Sequence, residues 1–184
     1  NSQELYKAFS RANFAVSIAQ KEFHINHNIF HNIRHIYLPF LSGKISAAKK
    51  NNKNGEIKIG FLGSVNSVNL SAIKNIEIIA KKLPKLTFHV AGKIAEYINS
   101  ETNNIHSLGY IDNLNDFYSE VDATFSPTFS STGQKIKVME SIMHGIPSLT
   151  SPDSKPDFIG EYFANNLKNS DEFIKVLSKI DRNN

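Results

Sequence analysis

Apolar and polar positions divide this chain into three regions of different character. From Ile57 onward, short apolar runs alternate with stretches of helical spacing. Ile57 to Leu62 reads as a strand, and Ile73, Ile76, Ile79 and Leu83 then recur at the spacing of one helix face until Pro84 stops it. Further strands are predicted over Leu86 to Ala91, Ile105 to Leu108, Ala123 to Phe125 and Pro147 to Thr150. A helix from about Gln134 to His144 has Gly145 as its natural stop. Asp171 to Ile180 is a last amphipathic helix, capped by Ser170 or Asp171. Residues 1–40 read as a helix near Leu5 to Ser10, a strand around Ala15 to Ile18, a second helix, and a strand Ile33 to Leu38 ending at Pro39. Between these regions, residues 41–56 form a polar linker bearing Lys, Asn and Gly. No internal repeat is visible. Repeated β-α units with short apolar strands predict an α/β fold, a parallel sheet with helices on both faces.

In such a sheet ligands sit beyond the carboxyl ends of the strands, so the residues just after each strand carry the interest. Gly63-Ser64-Val65-Asn66-Ser67-Val68-Asn69 leads into a helix, where exposed N–H groups suit an anion. The same segment serves equally as a plain helix cap. Ser130 to Glu140 is more informative. Gly133 would admit a phosphate close to the backbone, Thr132 could cap the helix or donate a hydroxyl, and Lys135 puts a cation in the first turn. A cation there opposes the helix dipole unless an anion joins it; a surface lysine on a capped helix is the alternative. Glu140 lies at the edge of the apolar stripe Ile136, Met139, Met143, so its carboxylate needs a hydrogen-bonding partner. A ribose diol or a nearby lysine would each serve. His24, His27, His31 and His35 include a pair on one helix face, but no carboxylate accompanies them, and a polar face is favoured over a metal site.

Composition narrows the classes further. The 184 residues suffice for one sizeable domain and a little more. No stretch approaches the roughly 20 consecutive apolar residues of a membrane span. Without cysteine there is no disulfide, thiol nucleophile or cysteine-ligated metal. The opening Asn-Ser-Gln-Glu lacks the features of a signal peptide and an initiator Met, so a piece of a longer protein is expected. A net charge of +4 permits an anionic partner, and its densest basic stretch, Lys44 to Lys53, reads as part of the solvated linker rather than a nucleic-acid patch.

An ordered set of short segments then points to a family. Phe61-Leu62-Gly63-Ser64 with Asn69, Phe88 to Gly92, Ile105 to Ile111, Leu114 to Tyr118, Val121-Asp122-Ala123, Pro127, Gly133 to Ser141 and Gly145-Ile146-Pro147 follow one another as they do in group 1 (GT4-like) glycosyltransferases. The run from Ile59 to Ser151 resembles the C-terminal, nucleotide-sugar-binding domain of that GT-B class. The resemblance implies one Rossmann-like half of a GT-B fold over residues 57–184, with residues 1–40 the tail of an N-terminal domain and 41–56 the linker. It implies a donor site in which Gly63 and Ser64 follow the first strand, Gly109, Tyr110 and Ile111 lie against the base, Thr132, Gly133, Gln134 and Lys135 cradle the diphosphate, and Glu140 binds the ribose. The family's second glutamate falls at position 132, which is Thr here. No catalytic residue is named, because the acceptor side belongs to the N-terminal domain.

The implied activity is transfer of a sugar from a UDP- or GDP-sugar to a glycan or lipid-linked acceptor, in surface polysaccharide or glycoconjugate synthesis. It requires no metal and no cofactor. The implied setting is cytoplasmic, with peripheral contact at the inner face of the membrane. The alternatives are a non-catalytic nucleotide-sugar-binding module and a sugar-nucleotide epimerase of the same architecture.

The dipole argument at Lys135 can be tested directly. Lys135→Ala should weaken a nucleoside diphosphate far more than the parent nucleoside, and should stabilise the empty protein by about 0.3–1 kcal/mol. Equal losses for the two ligands in calorimetry would make Lys135 an ordinary surface residue.

Overall fold

The computed structural model describes residues 2–38, 55–99, 101–129, 136–155 and 167–180. They fall into two compact units, one within residues 2–38 and one over the described residues from Gly55 to Ile180. The linker expected at 41–56 lies almost entirely outside the described residues.

In the smaller unit, α1 (Ser2–Arg11) leads to β1 (Phe14–Ser17), α2 (Gln20–Ile29) and β2 (Arg34–Tyr37). The two strands pair in parallel, Phe14 opposite Arg34 and Ser17 opposite Tyr37. An aromatic cluster fills the space under the helices. Phe9 stacks on Phe30 at 4.2 Å, and Phe23 touches His27, His35 and Tyr37. The His35 Nε2 donates to the Phe30 carbonyl at 2.7 Å. Three of the four histidines therefore take part in ring packing: His24 and His27 against Phe23, and His27 against His35 at 5.4 Å.

The larger unit holds β3 (Lys58–Leu62), α3 (Ser67–Lys82), β4 (Thr87–Ala91), β5 (Ile105–Gly109), α4 (Leu114–Glu120), β6 (Ala123–Ser126), α5 (Ile136–Met143), β7 (Ser148–Thr150) and α6 (Ser170–Leu177). Its five strands are all parallel, in the order β5-β4-β3-β6-β7. This is the Rossmann-like sheet expected from the β-α alternation. Every residue of β4 and β6 is buried, as strands covered on both faces must be.

Residue alternation sorts the two faces. Ile59, Phe61, Phe88, Val90, Phe125 and Leu149 point to one side, where Ile73, Ile76 and Ile79 of α3 and Phe173 and Leu177 of α6 cover them. Phe125 is the hub, 5.5 Å from Phe88 and 6.3 Å from Phe173 between ring centroids. Each such side chain contributes about 1.5–3 kcal/mol through burial. On the other face Ala91 packs with Phe117, Tyr118, Val121 and Ile146, flanked by Leu62, Leu108 and Ile111. Gly60 is required there, because a Cβ would lie 2.8 Å from the Phe117 ring. α5 is seated on the same face by hydroxyls: Thr124 and Ser141 share a hydrogen bond of 2.7 Å, and Ser141 also donates to the Ile146 carbonyl at 2.9 Å.

Helix ends follow local chemistry. The Asn66 side chain accepts from the Asn69 N–H at the start of α3. Gly145, at φ 72°, ends α5 in the left-handed conformation that glycine adopts without strain. The cap of α6 is Asn169, not Ser170 or Asp171: Asn169 is extended and its side chain accepts from the Glu172 N–H. Two short elements went unforeseen, α4 with its Asn113 cap and a single 3₁₀ turn at Lys93–Tyr97.

His89 in β4 is 9% exposed, and among the described residues its Nδ1 meets no hydrogen-bonding partner. Burial, reinforced by Lys58 and His106, lowers its pKa below the usual imidazole range. A lowered histidine folds in its neutral form, so its contribution is complete above the unfolded value of about 6.5 and is lost as pH falls below it. Denaturant melts from pH 7.5 to 5 should therefore lose stability more steeply for the unaltered chain than for His89→Leu. Identical slopes would show that His89 is not the group responsible.

Candidate functional site

The order of strands creates a break in the sheet. The chain leaves β3 toward α3 on one face, while it leaves β6 toward α5 on the other. The carboxyl ends of β3 and β6 therefore mark the switch point of the sheet, where ligands sit in this architecture.

The floor of this edge is main chain. Gly63 follows β3, and its N–H donates to the Ala91 carbonyl at 3.0 Å. Gly92, beyond β4, donates to the Gly109 carbonyl at 2.6 Å, while the Gly63 carbonyl accepts from the Ile94 N–H at 3.4 Å. Gly92 has φ 87°, and a Cβ there would stand 2.2 Å from the Gly63 oxygen, so no other residue fits. Gly109 also takes a positive φ of 64° as β5 ends, which turns the chain outward. Tyr110 follows at 72% exposure, a free aromatic face at the rim. Ile111 instead turns inward, to the small core that holds Tyr118.

Buried Asn69 organises the β3 side. Its N–H is capped by Asn66 Oδ1 at 2.8 Å, its Nδ2 donates to the Ser64 carbonyl at 2.7 Å, and its Oδ1 accepts from Lys137 Nζ at 2.9 Å. Lys137 starts from α5 on the opposite face. Its ammonium reaches over the carboxyl edge and rests 4.1 Å from the centroid of the Phe61 ring, a cation–π contact. The β6 side is pinned separately. Asn75 Nδ2 donates to the Pro127 carbonyl at 2.9 Å, and buried Ser126, Thr128, Ser151 and Ser154 form one hydroxyl cluster joining the exits of β6 and β7.

Glu140 sits half-buried one turn further along α5. The Tyr118 hydroxyl on α4 and His144 are its polar neighbours, and that hydroxyl donates to the Lys137 carbonyl at 3.4 Å. No lysine pairs with it among the described residues. Burial raises the carboxyl pKa above the usual range, while nearby His144 and the Tyr118 hydroxyl act in the opposite direction. Burial also drives the Tyr118 phenol upward, so it remains a neutral donor.

The structure thus brings Gly63, Ser64 and Gly109 to one edge, with Tyr110 at its rim and Glu140 on α5. Thr132, Gly133, Gln134 and Lys135 lie outside the described residues. Sequence reasoning passed over Asn69 and Lys137 as site residues. The available signal was a second cation two residues past Lys135, which compounds the dipole conflict at the start of α5. A separate recess of about 460 Å³, lined by Glu56, Lys81, Thr87, Asn104 and His106, opens at the amino edge of the strands, where such sheets do not bind ligands.

Comparison with known proteins agrees with this architecture. Residues 56–183 match the sequence profile described as "Glycosyl transferases group 1". No curated protein matches the chain by sequence. Among solved structures, a variant of S. aureus TarM in complex with fondaparinux, alpha-GlcNAc-glycerol and UDP superposes with a TM-score of 0.75 at 16% identity, over 97% of this chain and 40% of that one. HepE of Anabaena, in complex with UDP and glucose, gives 0.69 at 13% identity, over 91% and 53%. WaaG, a glycosyltransferase involved in lipopolysaccharide biosynthesis, gives 0.66 at 16% identity, over 95% and 58%. The chain thus spans between 40% and 58% of these three proteins, and at such identities the likeness establishes the fold.

The Asn69 junction yields a comparison of two variants. Asn66→Ala removes one capping bond and should cost about 1 kcal/mol. Asn69→Ala strands a buried carbonyl and an ammonium together and should cost about 2–4 kcal/mol. Equal losses on denaturant unfolding would mean that the interior bonds of Asn69 contribute nothing.

Proposed function

This chain belongs to the group 1 glycosyltransferases, and on that premise we propose that its larger unit binds the nucleotide of a nucleotide diphosphate sugar. The observation that carries the reading is the switch point between β3 and β6, with the close-packed Gly63 and Gly92 main chain beside it and Lys137 bonded to Asn69 across it. In this reading the main-chain N–H groups and the cations of residues 132–137 take the diphosphate, a group that leaves with negative charge during transfer. Tyr110 offers the base a flat surface at the rim, and Glu140 accepts from the ribose hydroxyls. The solved complexes of TarM and HepE with UDP support the choice of a nucleoside diphosphate.

The whole protein would then move a sugar from a UDP- or GDP-sugar to a glycan or lipid-linked acceptor in polysaccharide or glycoconjugate synthesis. Residues 1–40 would be the end of an N-terminal domain, 41–56 the linker, and 57–184 the donor-binding domain. No helix among the described residues is long and apolar enough to cross a membrane. A cytoplasmic place, with peripheral contact at the inner face, is the corresponding setting.

Calorimetry tests the reading. UDP or GDP should bind to the chain, with affinity within tenfold when EDTA is added. Glu140→Gln should reduce that affinity by about ten- to hundredfold, the loss of a charge-assisted hydrogen bond worth roughly 1.5–3 kcal/mol. Its melting temperature should barely change. A variant that melts early and binds normally would make Glu140 a structural partner of Tyr118 alone.

A further inference from the structure

Lys137 is fixed at both ends. Its main-chain carbonyl accepts from the buried Tyr118 hydroxyl at 3.4 Å. Its ammonium donates to Asn69 Oδ1 at 2.9 Å and rests 4.1 Å from the centroid of the Phe61 ring. Lysine is among the side chains with most rotamer freedom to lose, so an ammonium held in this way is an ordered cation.

Its anchor is placed by three further contacts. Asn69 is 6% exposed, its N–H donates to Asn66 Oδ1, and its Nδ2 donates to the Ser64 carbonyl at 2.7 Å. A Cβ on Gly63 would lie 3.0 Å from that same Nδ2. The amide therefore lies directly against the main chain that leaves β3, and the ammonium is one hydrogen bond away from it. This is the side of the switch point that β3 supplies.

Residue type carries the argument further. Asn69 is neutral, so its bond to Lys137 orients the ammonium without cancelling the charge, whereas a carboxylate there would do both. Fastening α5 to the exit of β3 requires no charge. Apolar side chains of similar volume would serve, without the desolvation that a half-buried ammonium suffers. We propose that Asn69 is a positioning residue: it holds the Lys137 ammonium at the carboxyl edge of β3, so that this cation takes the diphosphate and favours it over a bare nucleoside. The inference rests on the nucleotide-binding reading above. Because the cation is ordered before the anion arrives, binding need not immobilise a long side chain, and losing the anchor weakens the diphosphate even while the charge remains.

Calorimetry with UDP and with uridine separates the phosphate contribution from the rest. Lys137→Met keeps the stem over Phe61 and deletes the charge. Its UDP affinity should fall about tenfold or more, the scale of a hydrogen bond to a charged group, and its uridine affinity should not change. Asn69→Ser, too short to reach the ammonium, should lower UDP affinity about three- to tenfold with uridine unaffected. In the Lys137→Met background the same change should cause no further loss specific to UDP. Asn69→Asp keeps an acceptor for the ammonium but cancels its charge; it should show a UDP-specific loss too, and it serves if Asn69→Ser fails to fold. Equal effects on UDP and uridine, or an Asn69→Ser loss as large without Lys137 as with it, would make the bond a structural fastener and leave nucleotide binding intact. If the unaltered chain binds neither UDP nor GDP, this inference and the reading beneath it fall together.

Discussion

The contact between Lys137 and Asn69 joins what the topology separates. α3 and α5 lie on opposite faces of the sheet and are 68 residues apart along the chain at this bond. Without a link across the carboxyl edge, the two faces would meet there as independent parts. Asn69 supplies the link because an amide can donate and accept at once: it fastens the exit of β3 through the Ser64 carbonyl while receiving the ammonium. The position of α5, and with it Glu140 and its tyrosine, is thereby referred to the same residue that fixes the end of β3.

The two faces of the sheet hold their helices by different physics. Toward α3 and α6 the contact is aromatic and aliphatic, with Phe125 among Phe61, Phe88 and Phe173. Such burial is strong but tolerates small sliding. Toward α5 the contact is directional. Thr124 binds both Ser141 and Ser148, tying helix, strand and neighbouring strand in one chain of hydroxyls. α5, which carries Glu140, is thus held by bonds with preferred angles, whereas α3 and α6 are held mainly by apolar burial.

Legibility in the sequence followed the range of the forces involved. Strands such as β3 and β4 were readable because they are short, mostly apolar runs, and the end of α5 because Gly145 suits a positive φ there. α4 and the 3₁₀ turn at Lys93–Tyr97 are too brief for a helical period to emerge, although Asn113 was a usable start signal. At α6 three polar residues in a row competed for the cap, and the extended backbone of Asn169 decided among them. That Glu140 needs a partner followed from its place at the edge of an apolar stripe. That Tyr118 is its neighbour did not, since Tyr118 belongs to another helix whose packing no local pattern reports. Asn69 and Lys137 were obscured for the same reason.

The close passage of Gly92 against the Gly63 oxygen limits how this fold can diversify. A floor made of peptide groups carries no side chain to exchange, so mutation cannot retune it by degrees; it persists or it collapses. Under the proposed reading, differences in ligand preference among chains of this shape would then be written at the rim and on the helices, at positions such as Tyr110 and the first turn of α5. On the same reading, this fixed main chain would meet what different ligands share, and the rim would meet what sets them apart.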